Sequence, residues 1–336
     1  MSGAAAVRPS TAPAATTINR WIPAAVFVTT LVVASVLLFI RVSTTTIELT
    51  GTFTGLGFVS AQPQPLGRPV RLTALGAAGV KDARFPEEVA SEGSATALRV
   101  AVEATADTKE PGSIVVDRIV VPEGTRVWLA RTDVPRQYRL SLHPPATAAI
   151  EVHADVTGAA TFAPAGARPT TATLGAPRGV DFTSSGGTLD LDLTLAPGAP
   201  TPRWEQLVVR DLRVHRVDDQ QAPQPLARPV STIQSGSVYF EALGGAERKL
   251  RTGGLLRFGS ASGTILTLDL RDEGIASTFQ GDVQEMRSGA GDAPRSLMPT
   301  LLEWLRKRQG LSLLWGTALY LSGIALTLRR WWRKPE

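Results

Sequence analysis

Three residues with metal-binding or acid–base side chains, Glu151, His153 and Asp155, occupy alternate positions of one apolar–polar stretch. Such alternation predicts a strand that carries all three on one face, with neighbours about 7 Å apart. Metal ligands must converge on one ion, and one strand alone cannot bring three such side chains close together. We therefore interpret them as a solvated polar face and predict no metal site.

Nucleophilic catalysis would require one of the three histidines of the chain. His143 precedes two prolines and is typical of a turn, whereas His215 lies in a strand-like stretch between arginines. No Gly-x-Ser-x-Gly turn identifies a nucleophilic serine. A hydrolase of the cell envelope is therefore our third hypothesis, and it requires a pocket in which His143, His153 or His215 lies beside a serine or a carboxylate.

Paired carboxylates across a cleft are the catalytic groups of glycosidases. Asp190 and Asp192 share one face of an alternating stretch, and Asp269 lies in a similar setting between leucines. A sheet that faces water displays the same pattern, so we predict that these residues are not catalytic. The Gly253-Gly254 pair indicates a hairpin turn rather than a phosphate loop, and we predict no cofactor and no enzymatic activity.

Exposed aromatic side chains are the usual platforms on which binding proteins stack sugars. Aromatic residues make up 6% of the chain, and between the two long apolar segments they are chiefly Trp128, Tyr138, Trp204 and Tyr239. If this region binds a glycan, we expect Trp128 or Trp204 to stack on it.

The elements that must position these residues are short strands. Period-two alternation separated by Gly, Pro or Asp turns recurs throughout the region, and we find no convincing amphipathic helix of ten residues there. The pattern predicts a mainly β fold, an antiparallel β-sandwich or jelly-roll-like extracytoplasmic body flanked by two transmembrane helices. The predicted strands cover residues 47–53, 97–103, 113–121, 126–130, 150–154, 189–195, 237–241, 265–270 and 275–286.

We divide the body into a β-sandwich domain over 44–200 and a smaller β domain, or a continuation of the first, over 203–290. The apolar phase slips by one near Arg210-Asp211, which predicts a β-bulge. The octamer at 63–70 matches that at 223–230 at seven of eight positions. Duplication of a structural module and coincidence between two proline-rich loops both remain open.

Two uncharged apolar segments predict membrane helices. Residues 21–40 would reach roughly 30 Å as a helix, the thickness of the hydrocarbon layer, and residues 311–328 come close to that length. A cleaved signal peptide is the alternative for the first segment and a buried soluble helix for the second. The first lacks the small-x-small site that cleavage requires.

Several tryptophans and a basic cluster lie at the predicted membrane borders, where such side chains contact lipid headgroups. Residues 297–309 predict an interfacial amphipathic helix that precedes the second span. The segments 1–20, predicted to be disordered, and 329–336, which is basic, are expected to be cytoplasmic tails. The predicted interface residues are Trp21, Trp304, Arg306, Lys307, Arg308, Trp331 and Trp332.

The charge distribution argues against nucleic-acid binding. The 336-residue chain has a formal net charge of +5, and all of it resides in the two tails, so the body is neutral. We predict a bacterial inner-membrane protein, and the positive-inside bias then places both termini in the cytoplasm and residues 42–305 on the periplasmic or extracellular side.

Our leading functional hypothesis is a non-catalytic scaffold or assembly subunit of an envelope complex, with other envelope proteins or a second copy as partners. A membrane-tethered protein that binds a carbohydrate or glycolipid is the alternative.

Overall fold

The computed structural model describes most of the chain between residues 35 and 307. The described ranges are 35–67, 69–87, 89, 96–102, 112–185, 187–216, 229–289 and 294–307, with isolated positions at 28, 29, 32, 312, 316, 319, 320 and 323. Residues 43–298 form one compact unit, and residues 1–42 with 299–336 are assigned to a second.

Strands dominate the described part of the first unit. They are β1 Thr44–Phe53, β2 Gly55–Ser60, β3 Gln64–Pro65, β4 Val70–Ala78, β5 Asp82–Arg84, β6 Ala97–Val102, β7 Ser113–Val121, β8 Arg126–Arg131, β9 Gln137–His143, β10 Ala149–Pro164, β11 Thr170–Ser185, β12 Leu189–Leu195, β13 Arg203–Arg213, β14 His215–Arg216, β15 Val230–Ser231, β16 Ile233–Phe240, β17 Ala246–Leu250, β18 Leu256–Arg271, β19 Gly274–Ser288 and β20 Arg295–Ser296. A single 3₁₀ turn, Glu241–Leu243, connects β16 to β17.

Among the described strands, β14 and β15 form a separate two-stranded sheet, and the others pair in one continuous antiparallel ladder, in which β3 pairs with β7 and β20 with β19. Its order is β17-β16-β1-β19-β18-β13-β2-β8-β9-β12-β4, followed by β7 and β6 end to end, then β10, β11 and β5. Because β1 pairs with β16 and β19, and β2 pairs with β13, the stretch 203–290 continues the sheet built by 44–200.

Alternate residues of the strands face one continuous hydrophobic core, as in β12, where all four leucines are buried and the polar residues between them are not. Tyr138 is fully buried, and its hydroxyl donates to the carbonyl oxygens of Arg271 and Gly274 at the β18–β19 turn. Burial raises the pKa of Tyr138 to about 12. The prediction of a mainly β, antiparallel fold is confirmed.

The predicted bulge in β13 is also confirmed. The register between β13 and β2 shifts between Arg210 and Arg213, and Asp211 has a φ of 54°. This insertion keeps Leu212 and Val214 buried after the phase slip.

The first proline-rich octamer fastens β3 to its neighbours. The side-chain amide of Gln64 donates to the carbonyl of Val208 over 3.1 Å, and its Oε1 accepts from the Val208 N–H over 3.0 Å. Leu66 is buried, and Gly67 lies directly beneath the indole of Trp204. Most of the second octamer lies outside the described residues.

Within the second unit, short backbone contacts join the two chain segments. Arg41 and Thr300 form an antiparallel bridge, Val42 N–H donates to Pro299 O over 3.0 Å, and Leu301 N–H donates to Ile40 O over 2.8 Å. Residues 35–39 are helical.

Helix α1, Leu301–Lys307, begins at a capping box. Thr300 Oγ1 accepts from Glu303 N–H over 3.2 Å, and Glu303 Oε2 accepts from Thr300 N–H over 3.0 Å. The described helix is therefore shorter than the helix predicted over 297–309. Trp304 is half-buried, and Arg306 and Lys307 are exposed at its end.

Among the described residues, no helix has the length and apolar content needed to cross a membrane. The two transmembrane helices predicted to flank the body are therefore not found in this part of the chain. Most of 21–40 and 311–328 lies outside the described positions, as do the tails 1–20 and 329–336 and the predicted interface residues Trp21, Arg308, Trp331 and Trp332.

Candidate functional site

Five neighbouring strands, β13, β2, β8, β9 and β12, present one outward face on which a row of side chains crosses the sheet. The register places Arg213 opposite Gly57, Gly57 opposite Trp128, Trp128 opposite Ser141, and Ser141 opposite Asp190. The intervening residues of β8 and β9 are buried on the other face. Strand pairing thus brings together residues from four distant parts of the sequence.

Trp128 lies flat across β2 because two glycines leave room for its ring. A Cβ added at Gly57 would lie 2.5 Å from Trp128 Cε3, and one added at Gly55 would lie 2.9 Å from Cζ2. Both glycines are buried beneath the ring, whereas Trp128 itself is only half-buried. The indole therefore forms a supported platform that is partly open to solvent.

This platform lines a groove of about 650 Å³. Its charged side chains include five arginines and three aspartates, so cationic groups exceed acidic ones. The lining arginines are Arg126, Arg131, Arg139, Arg213 and Arg216, and the aspartates are Asp133, Asp190 and Asp211.

Two of these arginines remain available for a ligand. Arg139 is engaged by Asp192 through bonds of 2.8 and 3.2 Å, and Arg131 donates to the carbonyl of Glu273. Across the described part of the chain, Arg126 and Arg213 form no ion pair. They flank Trp128 along β8 and across β2, so a ligand on the indole would face both.

Two histidines also line the groove. His143 Nδ1 lies 2.8 Å from Thr188 Oγ1. Burial lowers the pKa of His215, and Arg257 and Arg213 lower it further against the effect of the Leu256 backbone. The lowered pKa favours the uncharged form of His215.

The groove contains the residue types of a hydrolase. Ser141 lies in the groove with His143 and Asp190, as our third hypothesis requires. A nucleophile must be hydrogen bonded to its base, or close to it. Within the described ranges, no hydrogen bond joins Ser141 to either groove histidine.

The other tryptophan expected to bind a ligand, Trp204, is a core residue. It is only 1% exposed, and its indole packs on Gly67. Trp204 presents no face to a ligand, so our expectation of stacking is corrected at this position.

The candidate glycosidase carboxylates have separate structural partners. Asp269 is buried and accepts from Arg203 over 2.7 and 3.1 Å and from Arg271 over 3.2 Å. Burial alone would raise the pKa of Asp269, but the two guanidinium groups hold it below its usual value. Asp192 forms an ion pair with Arg139. Of the three carboxylates, Asp190 is the one that lines the groove.

The predicted polar face around His153 contains a tighter cluster than the sequence indicates. Asp117 from β7 and Asp181 from β11 approach His153, whereas Glu151 is not part of the group. Burial and the neighbouring Asp155 raise the pKa of Asp117, and the hydrogen bond to Asp181 raises that of His153. Sequence spacing could not reveal Asp117 or Asp181, because both reach His153 through strand pairing.

Comparison of this chain with protein families, with curated proteins and with solved structures finds no match. Functional inference therefore rests on the geometry of the groove and of the His153 cluster.

Proposed function

We propose that this chain is a non-catalytic, membrane-anchored protein whose exported, sandwich-like β body binds an acidic glycan in the Trp128 groove. The observation that carries the proposal is the half-open indole of Trp128, supported by Gly55 and Gly57 and flanked by Arg126 and Arg213.

The chemistry of the groove matches an acidic sugar better than a neutral or apolar ligand. The apolar face of a sugar ring can cover an indole, which removes apolar surface from water. Guanidinium groups bind carboxylates and phosphates through two parallel hydrogen bonds. Arg126 and Arg213 have no competing ion pair among the described residues, so both are free to bind such a group.

Membrane anchoring is part of the same proposal. In the two apolar segments, Phe39 is 85% exposed and Leu319 and Tyr320 are each 70% exposed, and large apolar side chains at such exposure favour a lipid environment. We place the chain in a bacterial inner membrane, and the charge bias then favours cytoplasmic termini with residues 42–305 outside.

We expect the detergent-solubilised chain to bind an oligogalacturonate and not a neutral maltooligosaccharide in isothermal titration calorimetry. Covering the indole is worth about 1.5–3 kcal/mol, so Trp128→Ala should weaken oligogalacturonate binding roughly 10- to 100-fold. Gly57→Ala should also weaken it, because the added Cβ displaces the ring.

Tyr239→Ala is the matched control, since Tyr239 is a half-buried aromatic residue on β16 and does not line the groove. It should leave the affinity unchanged. Binding that survives Trp128→Ala, or equal affinity for the neutral oligosaccharide, would contradict the proposal.

A second candidate function is a scaffold or assembly subunit that binds other envelope proteins or a second copy of itself. The observation that favours it is the pairing of Ile40–Val42 with Pro299–Leu301. This pairing joins the end of the first predicted anchor to the start of the helix that precedes the second. We infer that the two anchors lie close together and hold the body in a defined orientation for its partners.

The chain has no cysteine, so single-cysteine variants test this arrangement directly. We expect Glu273→Cys, in the exposed turn between β18 and β19, to react with a membrane-impermeant maleimide in intact spheroplasts, and Ser2→Cys to react only after permeabilisation. A photoactivatable maleimide on exposed body positions should then give one reproducible crosslinked product. Monomer alone at every position would exclude the scaffold role.

A further inference from the structure

A β-bulge in β7 turns Asp117 toward two residues of β10. His153 pairs with Arg118 and Ala154 pairs with Val116, so Asp117 is the extra residue between the two pairs. Val116 and Ile119 are both buried, which leaves two consecutive residues on the outward side. The bulge therefore places the Asp117 carboxylate on the face that carries His153 and Asp155.

The three side chains converge as metal ligands do. One ligand atom from each of Asp117, His153 and Asp155 lies within 4.8 Å of the other two. His153 Nε2 lies 3.7 Å from Asp155 Oδ1. Ligand atoms that share one Zn²⁺ ion at about 2.0–2.2 Å lie roughly 3–3.5 Å apart, so small side-chain movements complete the site.

Asp181 fixes the orientation of the His153 imidazole. It lies opposite His153 in the β10–β11 register, and its Oδ1 is 2.5 Å from His153 Nδ1. When Nδ1–H donates to a carboxylate, the lone pair of Nε2 is free to bind a metal. Here Nε2 lies near Oδ1 of Asp155, and a cation bound by the deprotonated nitrogen would contact both atoms.

We propose that Asp117, His153 and Asp155 bind a divalent transition-metal ion of the Zn²⁺ class, with Asp181 as the positioning residue for His153. One imidazole nitrogen and two carboxylate oxygens suit such an ion, whereas Ca²⁺ and Mg²⁺ favour oxygen ligands alone. His153 is 40% exposed and Asp155 35%, so solvent or an external group can occupy the remaining coordination position. This site is separate from the Trp128 groove and does not depend on the glycan proposal.

The test is Zn²⁺ titration of the chelator-treated full chain, purified without a polyhistidine tag, by isothermal titration calorimetry. We expect one Zn²⁺ per chain and a loss of affinity of at least 10-fold in Asp117→Asn and in His153→Ala. Removal of an outer partner of a ligating histidine costs about 10- to 100-fold in metal affinity, so Asp181→Asn should weaken binding by that amount. Ca²⁺ should bind far more weakly than Zn²⁺.

Glu151→Gln is the matched control, because Glu151 is an exposed acid on the same strand but outside the cluster. It should bind Zn²⁺ as the unaltered chain does, and circular dichroism should show all variants folded. Co²⁺ should give visible absorption bands that His153→Ala alters. Absence of Zn²⁺ binding, equal loss in Glu151→Gln and Asp117→Asn, or Co²⁺ bands that persist without His153 would overturn the proposal.

Discussion

Gly67→Ala should destabilise the β body by roughly 2–5 kcal/mol, because two unfavourable terms add. Gly67 has a φ of 73°, in the left-handed region that L side chains rarely adopt. A Cβ at this position would lie 1.6 Å from Trp204 Cδ1, inside a buried contact. The measurement is urea unfolding of the detergent-solubilised chain followed by far-UV circular dichroism.

Gly198→Ala measures the free-energy cost of a positive φ without the cost of a steric clash. Gly198 has a φ of 70°, and an added Cβ would meet nothing within 4 Å, so only about 1–2 kcal/mol is expected. If the two variants lose the same stability, the Trp204 contact does not make Gly67 necessary. In the second octamer, Ala227 occupies the place of Gly67, so that copy could not replace the first beneath an indole.

Gln64→Leu should lower the free energy of unfolding by roughly 1–3 kcal/mol, the cost of leaving one buried polar group, the Val208 N–H, unpaired. The Gln64 amide pairs with both the N–H and the carbonyl of Val208, and its Nε2 also lies 2.9 Å from Ser60 Oγ. Leucine keeps an apolar side chain of similar size in the site, so the loss of stability reports the unpaired Val208 N–H, whereas the Val208 carbonyl still accepts from Ala61 N–H over 3.0 Å. The same urea unfolding measures it.

The neighbouring exposed residue Gln62 provides the control. Gln62→Leu should change stability by less than about 0.5 kcal/mol, as expected for a surface position. A Gln64→Leu variant as stable as this control would show that the amide does not hold β3 to β13.

Much of the fold could be predicted because most strands have one buried face. In β12 the apolar residues alternate with polar ones, and the predicted bounds of 189–195, like those of 113–121 for β7, agree with the structure. Strand β11, Thr170–Ser185, was not predicted, since it contains four threonines, two glycines and a proline and its alternation is weak.

The two body tryptophans show where alternation fails. Trp128 lies between Val127 and Leu129, which are buried, so its outward position follows from period two. Simple alternation would place Trp204 on the face opposite Leu207. Gln206, with a φ of 58°, interrupts the regular strand there. Two consecutive exposed residues therefore separate Trp204 from Leu207, and both of these side chains face the core.

The groove and the His153 cluster could not be predicted because both depend on strand order. Arg213 and Trp128 are 85 positions apart in the sequence and meet only because β2 lies between β13 and β8. Asp117 reaches His153 through the β-bulge in β7. The spacing of the apolar residues of β7 indicates an irregularity, but it does not show that this irregularity lies opposite β10. Register between distant strands is a property of the whole sheet rather than of any local motif.

The bridge between Arg41 and Thr300 has a topological consequence. Val42 and Pro299 share a backbone hydrogen bond of 3.0 Å. The two ends of the intervening segment of 256 residues, Ser43–Met298, are therefore adjacent. A short glycine–serine linker could join these two ends, and new termini could be placed in a surface turn. Circular permutation of this kind would release the β body from its hydrophobic flanks without cutting a ladder between strands.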